Sequence, residues 1–186
     1  LLGPTTVTRW IYSTSKAVDE MLGLAYWREK KLPVVIVRFF NVIGPRQSAE
    51  YGMVVPRFVK QALLGHPITV YNDGEQRRCF TDIDDAIDGL LALMAHDDTP
   101  GEIFNLGGNS ETNEIAIKTL AEKVKTLTES DSPIEFVPYD KAFAKGSYED
   151  LNYRVPDLTK ITRVVGYEPS LSLDQTLRRI IEYYES

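Results

Sequence analysis

Apolar residues recur at intervals of three and four between about residues 8 and 31, at Ile11, Ala17, Val18, Met21, Leu22, Leu24 and Ala25, and Pro33 closes the run. That period predicts a long amphipathic helix. The pattern then changes. Residues 33–40 are, after Pro33 and apart from Arg38, β-branched and aromatic, and Asn41 and Gly44-Pro45 end them, which predicts a strand buried on both faces as in a parallel sheet. A helix followed by a buried strand is the beginning of an α/β layer.

Further along, residues 55–64 return to the helical period and stop at Gly65-His66-Pro67. A short strand at 68–71 runs into the Asn72-Asp73-Gly74 turn, and a helix follows at 83–95. After Pro100-Gly101 the pattern predicts a strand at 102–106, a turn at Gly107-Gly108-Asn109, a helix from about 113 to 127 and a strand at 133–137. Residues 139–152 show no clear period. Two closing helices are expected at 157–165 and 173–184, and neither repeats nor low-complexity tracts occur.

At 186 residues and 43% hydrophobic, the chain can bury one core, or one core with a small lobe beside it. Its formal charge of −6 argues against nucleic acid as a partner, because such affinity comes from neutralising phosphates with basic side chains. The single cysteine, Cys79, cannot form an internal disulfide, and His66 and His96 lack zinc-ligand spacing. We therefore expect no metal and a reducing, cytoplasmic setting. The longest apolar runs are too short for a membrane span. The opening Leu-Leu-Gly-Pro-Thr-Thr lacks a methionine and reads as the middle of a loop, so the chain is expected to be part of a longer protein.

Tyr12 and Lys16 are four residues apart, which puts them on one helix face. A phenol with a pKa near ~10 is a poor base at neutral pH, but a neighbouring ammonium stabilises the phenolate. Such a pair can take the proton of an alcohol while a hydride leaves the same carbon. The spacing also arises on any amphipathic helix, where it means only a surface Tyr and Lys. Asp82, Asp84 and Asp85 raise the question of a metal or acid-base cluster, and an acidic group that caps the following helix and meets its dipole is the preferred reading.

Three ordered segments give the pair a context: Arg9-Trp10-Ile11-Tyr12 through Lys16 to Glu20, Val37 through Asn41 to Gln47, and Tyr51-Gly52-Met53 to Phe58. Together with residues 68–80, Phe104 to Gly108, and Tyr153-Arg154-Val155-Pro156-Asp157, they closely resemble the extended short-chain dehydrogenase/reductase family over nearly the whole chain, most of all its UDP-glucose 4-epimerase-like, NAD-dependent members. The resemblance implies the C-terminal part of a Rossmann-like parallel sheet plus a small α/β substrate-binding lobe. Residues 1–50 would be the remnant of the NAD-binding domain and 51–186 mostly the substrate lobe, with a segment near 80–108 returning to the first domain.

The resemblance also implies roles. Tyr12 would be the catalytic base, and Lys16 would hold the nicotinamide ribose of NAD and lower the tyrosine's pKa. Phe39 and Phe40 would lie beside the nicotinamide. Asn41, Arg78 and Arg154 would grip the diphosphate of a nucleotide-sugar, most simply a UDP-sugar; planar guanidinium forks suit phosphate oxygens, and strand carboxyl ends are where open α/β sheets bind ligands. Val55, Pro56 and Arg57 would run along the uridine and ribose. Without the family context these residues read as core strand, turn, helix start and solvated charge.

The implied reaction is 4-epimerisation: oxidation at sugar C4, reorientation of the 4-keto sugar, and return of the hydride to its other face. A 4,6-dehydratase and a UDP-glucuronate decarboxylase share the first step and remain open, as does a non-catalytic nucleotide-sugar binding piece. No Gly-x-Gly-x-x-Gly occurs in the sequence, and the family's serine or threonine upstream of the tyrosine is not matched, so the complete protein is expected to be the enzyme. A homodimer through the face around Met21, Leu22 and Tyr26 is expected by the same resemblance; these residues can equally pack on a sheet.

Overall fold

A computed structural model of the chain describes residues 3, 6–7, 10–48, 53–142 and 151–186. The first helical period forms α1, Trp10–Lys30, and the apolar run after it forms β1, Ile36–Phe39. Gly23 lets the two approach: a Cβ there would lie 3.3 Å from Val34 Cγ1 and 3.5 Å from Ile36 Cδ1. One turn earlier, Glu20 accepts two hydrogen bonds from the Arg38 guanidinium, both at 2.6 Å. Going back along the helix therefore means going forward along the strand, so α1 runs antiparallel to β1.

That ion pair is testable. Arg38 holds the Glu20 carboxyl below the usual carboxylate range through this hydrogen bond. A depressed folded pKa contributes stability that is complete above the unfolded value of about 4.3 and is lost as pH falls through the folded value. Arg38 is half exposed, so solvent screening limits the contribution to about 1 kcal/mol. Glu20→Gln is expected to lower stability to urea by that amount at neutral pH, and the gap to the wild type should close below pH 4.

Strand β6, Ile103–Leu106, pairs with β1 in parallel, with Ile36 opposite Ile103 and Phe39 opposite Leu106. Val35 and Val37 pack with Phe104, Leu106, Ala86, Leu93, Ile161 and Tyr167, contributed by β6, by α3, Ile83–Ala95, by α7, Thr159–Val165, and by the segment just after α7. Helices thus cover both faces of this parallel pair. The expectation that β1 is buried throughout is corrected: Arg38 and Phe39 are exposed, Phe39 to 44%. Arg38 is on the α1 side, where the pair with Glu20 replaces apolar packing.

A second core gathers Val55, Phe58 and Val59 from α2, Val54–Leu63, Ile68 and Val70 from β3, Ile68–Tyr71, Leu120 and Val124 from α5, Ile117–Leu127, and Leu177 and Ile180 from α8, Leu173–Glu185. β3 pairs in parallel with β8, Ile134–Val137. Most of these elements follow the sequence pattern to within two residues. The helix expected from residue 113 does not: residues 110–113 form the short helix α4, Ser110–Asn113, and Glu114–Ala116 forms β7, because its backbone joins the antiparallel ladder of β4, Arg77–Cys79. A further strand, β9, Tyr153–Arg154, pairs with β4 in parallel on its other side. Tyr139–Ala142, in the stretch without a clear period, forms α6.

Between the two cores the chain changes partners. β2, Val42–Ile43, leaves the β1–β6 pair and runs parallel to β5, Thr81–Asp82. The acidic group at 82–85 joins the cores as well. Asp82, with a side chain that has no exposed surface, caps α3 through the Asp84 amide and takes two 2.9 Å hydrogen bonds from Arg179 of α8. Asp85 accepts from the Ser170 amide and hydroxyl and from the Leu171 amide. Capping is therefore what Asp82 does, and among the described residues no group of three or more His, Cys, Asp or Glu could hold a metal. No helix there is long and apolar enough to cross a membrane.

Candidate functional site

The site is built where β1 and β6 end. Past Phe39, the Phe40 amide donates to Leu106 O at 3.0 Å, and Asn41 turns the chain in a left-handed conformation, φ 41°, which asparagine tolerates better than most residues. Its Nδ2 donates to Cys79 O at 2.8 Å. On the β6 side the chain turns through Gly107 and Gly108. A Cβ on Gly108 would meet Phe80 O at 2.0 Å, and one on Gly107 would meet Pro156 Cγ at 2.4 Å. The Cys79 thiol donates to Gly108 O at 3.3 Å, and burial pushes its pKa up to about 11, so it is a neutral packing group.

This convergence brings the three anticipated diphosphate ligands, Asn41, Arg78 and Arg154, together. Arg78 and Arg154 are opposite one another in the parallel β4–β9 register, so their side chains share a face. Arg154 also donates to Phe39 O at 3.5 Å, with its guanidinium 5.5 Å from the centre of the Phe40 ring. Arg78 donates to Leu151 O at 2.7 Å and to its neighbour's carbonyl, Arg77 O, at 2.8 Å. Phe39, Phe40, Asn41, Arg78 and Arg154 are thus one cluster. Arg77, next to Arg78 in sequence and easily confused with it, points to the other face and pairs with Glu114 at 2.5 Å.

Tyr12 and Lys16 approach the cluster along α1. With Glu20 fixed on Arg38, Lys16 and Tyr12 are one and two turns further on, about 6 and 12 Å along the helix. Phe40 is about 7 Å beyond Arg38 in the strand direction. α1 thus runs with its N-terminal end toward the strand's carboxyl end, and Tyr12 is in its first turn. Tyr12 is 69% exposed, and the Lys16 ammonium is 5.8 Å from its ring centre. Lys16 donates to Asp19 at 2.9 Å, and that hydrogen bond raises its pKa, which keeps the ammonium charged.

Val55 and Pro56 are placed differently. Val55 has no exposed surface and Pro56 is buried within α2, so these two can offer a ligand only backbone. Arg57 reaches β3, donating to Thr69 O at 3.1 Å with its guanidinium 4.3 Å from the Tyr71 ring centre. Arg9, Tyr51 and Gly52 of the quoted motifs lie outside the described residues. The pattern did not single out Glu20 with Arg38, or Thr81, whose hydroxyl meets Phe40 O. A charge inside the apolar run of β1 was the available signal for the first; nothing local marks the second.

For NAD, the donor chemistry present suits one half of the cofactor. The Lys16 ammonium can donate to ribose hydroxyls, and Phe39 and Phe40 offer apolar surface at the strand end. Nothing in the sequence supplies a glycine-rich nest for the pyrophosphate.

Comparison with known proteins shows the family. Residues 1–107 match the family described as the NAD dependent epimerase/dehydratase family. The chain is 38% identical over 185 residues to the UDP-N-acetyl-alpha-D-glucosaminuronate decarboxylase of Bacillus cytotoxicus, covering 99% of this chain and 56% of that protein. It is 35% identical over 178 residues to UDP-glucuronic acid decarboxylase 1 of Arabidopsis thaliana, covering 96% of this chain and 38% of that protein. The crystal structure of UDP-glucuronic acid 4-epimerase from Bacillus cereus, in complex with UDP-glucuronic acid and NAD, superposes with a TM-score of 0.83 at 28% identity, covering 94% of this chain and 52% of that one. The chain thus spans roughly half, or less, of the length of these relatives.

Proposed function

Because this chain belongs to the NAD dependent epimerase/dehydratase family, we propose that the complete protein oxidises C4 of a UDP-sugar, with Tyr12 as the base. The observation that carries this reading is the gathering of Asn41, Arg78 and Arg154 at the strand ends, and the Glu20–Arg38 pair, which docks the helix that carries Tyr12 on the same strand, supports it. Arg78 and Arg154, side by side in register, offer two cationic forks at a spacing suited to a diphosphate. With the diphosphate held there, the sugar lies toward α1. Tyr12 Oη takes the C4 hydroxyl proton, with the Lys16 ammonium 5.8 Å from its ring centre. Phe39 and Phe40 limit water at the same end. NAD, when bound, supplies the hydride acceptor.

Among the endpoints, loss of CO₂ from a UDP-hexuronate is favoured by the two curated relatives, both decarboxylases at 35–38% identity. The chemistry is consistent: a 4-keto group is β to a carboxylate on C5 and can accept the electron pair released when the C5–carboxyl bond breaks. The second reading is 4-epimerisation, which the motif resemblance implies and which the similarity to a UDP-glucuronic acid 4-epimerase supports. Incubating the complete protein and NAD with UDP-glucuronate, its 2-acetamido analogue or UDP-glucose, and resolving products by NMR, separates them. A UDP-pentose supports decarboxylation and a C4 epimer supports epimerisation. No conversion of any of the three by NAD-loaded protein overturns the proposal.

A further inference from the structure

The change of strand partner beside the site leaves backbone groups to be satisfied. Up to Phe40 the chain is paired with β6, the last bond being Phe40 N to Leu106 O; from Val42 it is paired with β5. At the change of partner the Asn41 carbonyl takes the first bond of the new ladder, while the Phe40 carbonyl falls between the two, and a carbonyl left unsatisfied away from water is unfavourable. Thr81, with no exposed surface, meets both: its amide donates to Asn41 O at 3.2 Å and its hydroxyl donates to Phe40 O. Threonine suits this position because its β-branch fits a strand while its hydroxyl supplies a donor that valine lacks.

The bonds extend further than the turn. Asn41, held in its left-handed conformation by Thr81, reaches across to Cys79 O, the residue after Arg78. Arg78 is in register with Arg154, which bonds Phe39 O. The path from Thr81 through Asn41 to Cys79 thus closes a ring of contacts around the strand end. We infer that Thr81 is a positioning residue for this site: its hydroxyl fixes the Phe40–Asn41 turn and through it the spacing of Arg78 and Arg154, without touching the ligand. The functional half of this inference rests on the reading of the site as a nucleotide-sugar site; the structural half does not.

The test compares Thr81→Val, which keeps shape and removes the donor, with Thr81→Ser, which keeps the donor. In crystal structures of the complete protein, Thr81→Val is expected to release Asn41 from φ near +41° and break the Asn41 Nδ2 to Cys79 O bond, while Thr81→Ser retains both. Calorimetry with UDP is expected to show about tenfold weaker binding for the valine variant, because binding must then restore the turn that sets Arg78 against Arg154, and near wild-type binding for serine. Unchanged Asn41 geometry in Thr81→Val overturns the inference. So does altered geometry with unchanged UDP affinity, or a serine variant that loses affinity as valine does. If valine prevents folding, the serine variant decides: retained geometry and affinity support the inference and their loss overturns it. Wild-type protein that does not bind UDP contradicts the proposed function, and the crystal structures then judge Thr81 alone.

Discussion

Replacing Tyr12 by phenylalanine is expected to lower kcat of the complete protein by roughly 10²–10⁴-fold, the range of a single positioned acid-base group, with little change in KM or in stability. Tyr12 is 69% exposed on α1, so removing its hydroxyl leaves no buried polar partner and opens no cavity. That separates this substitution from those that act through folding. If the phenol instead belonged to an ordinary helix surface, the variant would turn over at the wild-type rate. Lys16→Met should lower kcat too, because it removes the ammonium that stands 5.8 Å from the Tyr12 ring centre. Steady-state kinetics on the two variants, with urea midpoints as the control, distinguishes base from bystander.

Gly108→Ala is the second large effect, and it acts on shape. An added Cβ would stand 2.0 Å from Phe80 O and 2.8 Å from Asn113 Nδ2. A backbone carbonyl cannot swing aside as a side chain can, so β4 and the turn after β6 must part. Overpacking of this kind is unfavourable by about 1–3 kcal/mol. The loss should appear as a lower urea midpoint with little change in slope. The movement also strains two contacts that frame the site, the Cys79 thiol on Gly108 O and the Asn113 side chain between Leu171 O and the Leu173 amide. Weakened UDP binding should accompany the lost stability. An alanine variant as stable as the wild type would mean that these segments can separate without penalty, and the tight turn would not explain the glycine.

Much of this arrangement was legible from the chain alone because it depends on periodicity and local chemistry. The helical period up to residue 31 and the short apolar runs at 68–71 and 103–106 became α1, β3 and β6 because neighbouring elements bury what those patterns present. Asp82 was readable as a cap because a carboxylate before an apolar helical period has one obvious local use. The two-residue strands β2, β5 and β9 were not legible: their existence depends on ladder partners 39 and 76 residues away in sequence, as Val42 with Thr81 and Arg78 with Arg154 illustrate. For the same reason the helix expected from residue 113 yielded its first turn to β7, where pairing with β4 outweighs local propensity. Arg38 shows the other limit. Its charge contradicted a wholly apolar strand, but only the antiparallel docking of α1 reveals that Glu20 is the partner.

The site divides along the same line. Tyr12 and Lys16 share a helix face by spacing, whereas the direction in which α1 docks on β1 follows from the Glu20–Arg38 pair, and the coincidence of Arg78 with Arg154 follows from strand register. Val55 was placed along a ligand by resemblance, yet its side chain belongs to the core. An apolar residue in a helical period gives no local sign of which it will do.

The most direct test of oxidation at C4 is a single-turnover measurement in which NAD-loaded complete protein is mixed with UDP-glucuronate and the absorbance of reduced nicotinamide is followed. A transient rise that decays as product forms, and that is absent in Tyr12→Phe, is the predicted result. Product formation with no reduced nicotinamide at any time, at equal rates in wild type and Tyr12→Phe, would contradict it.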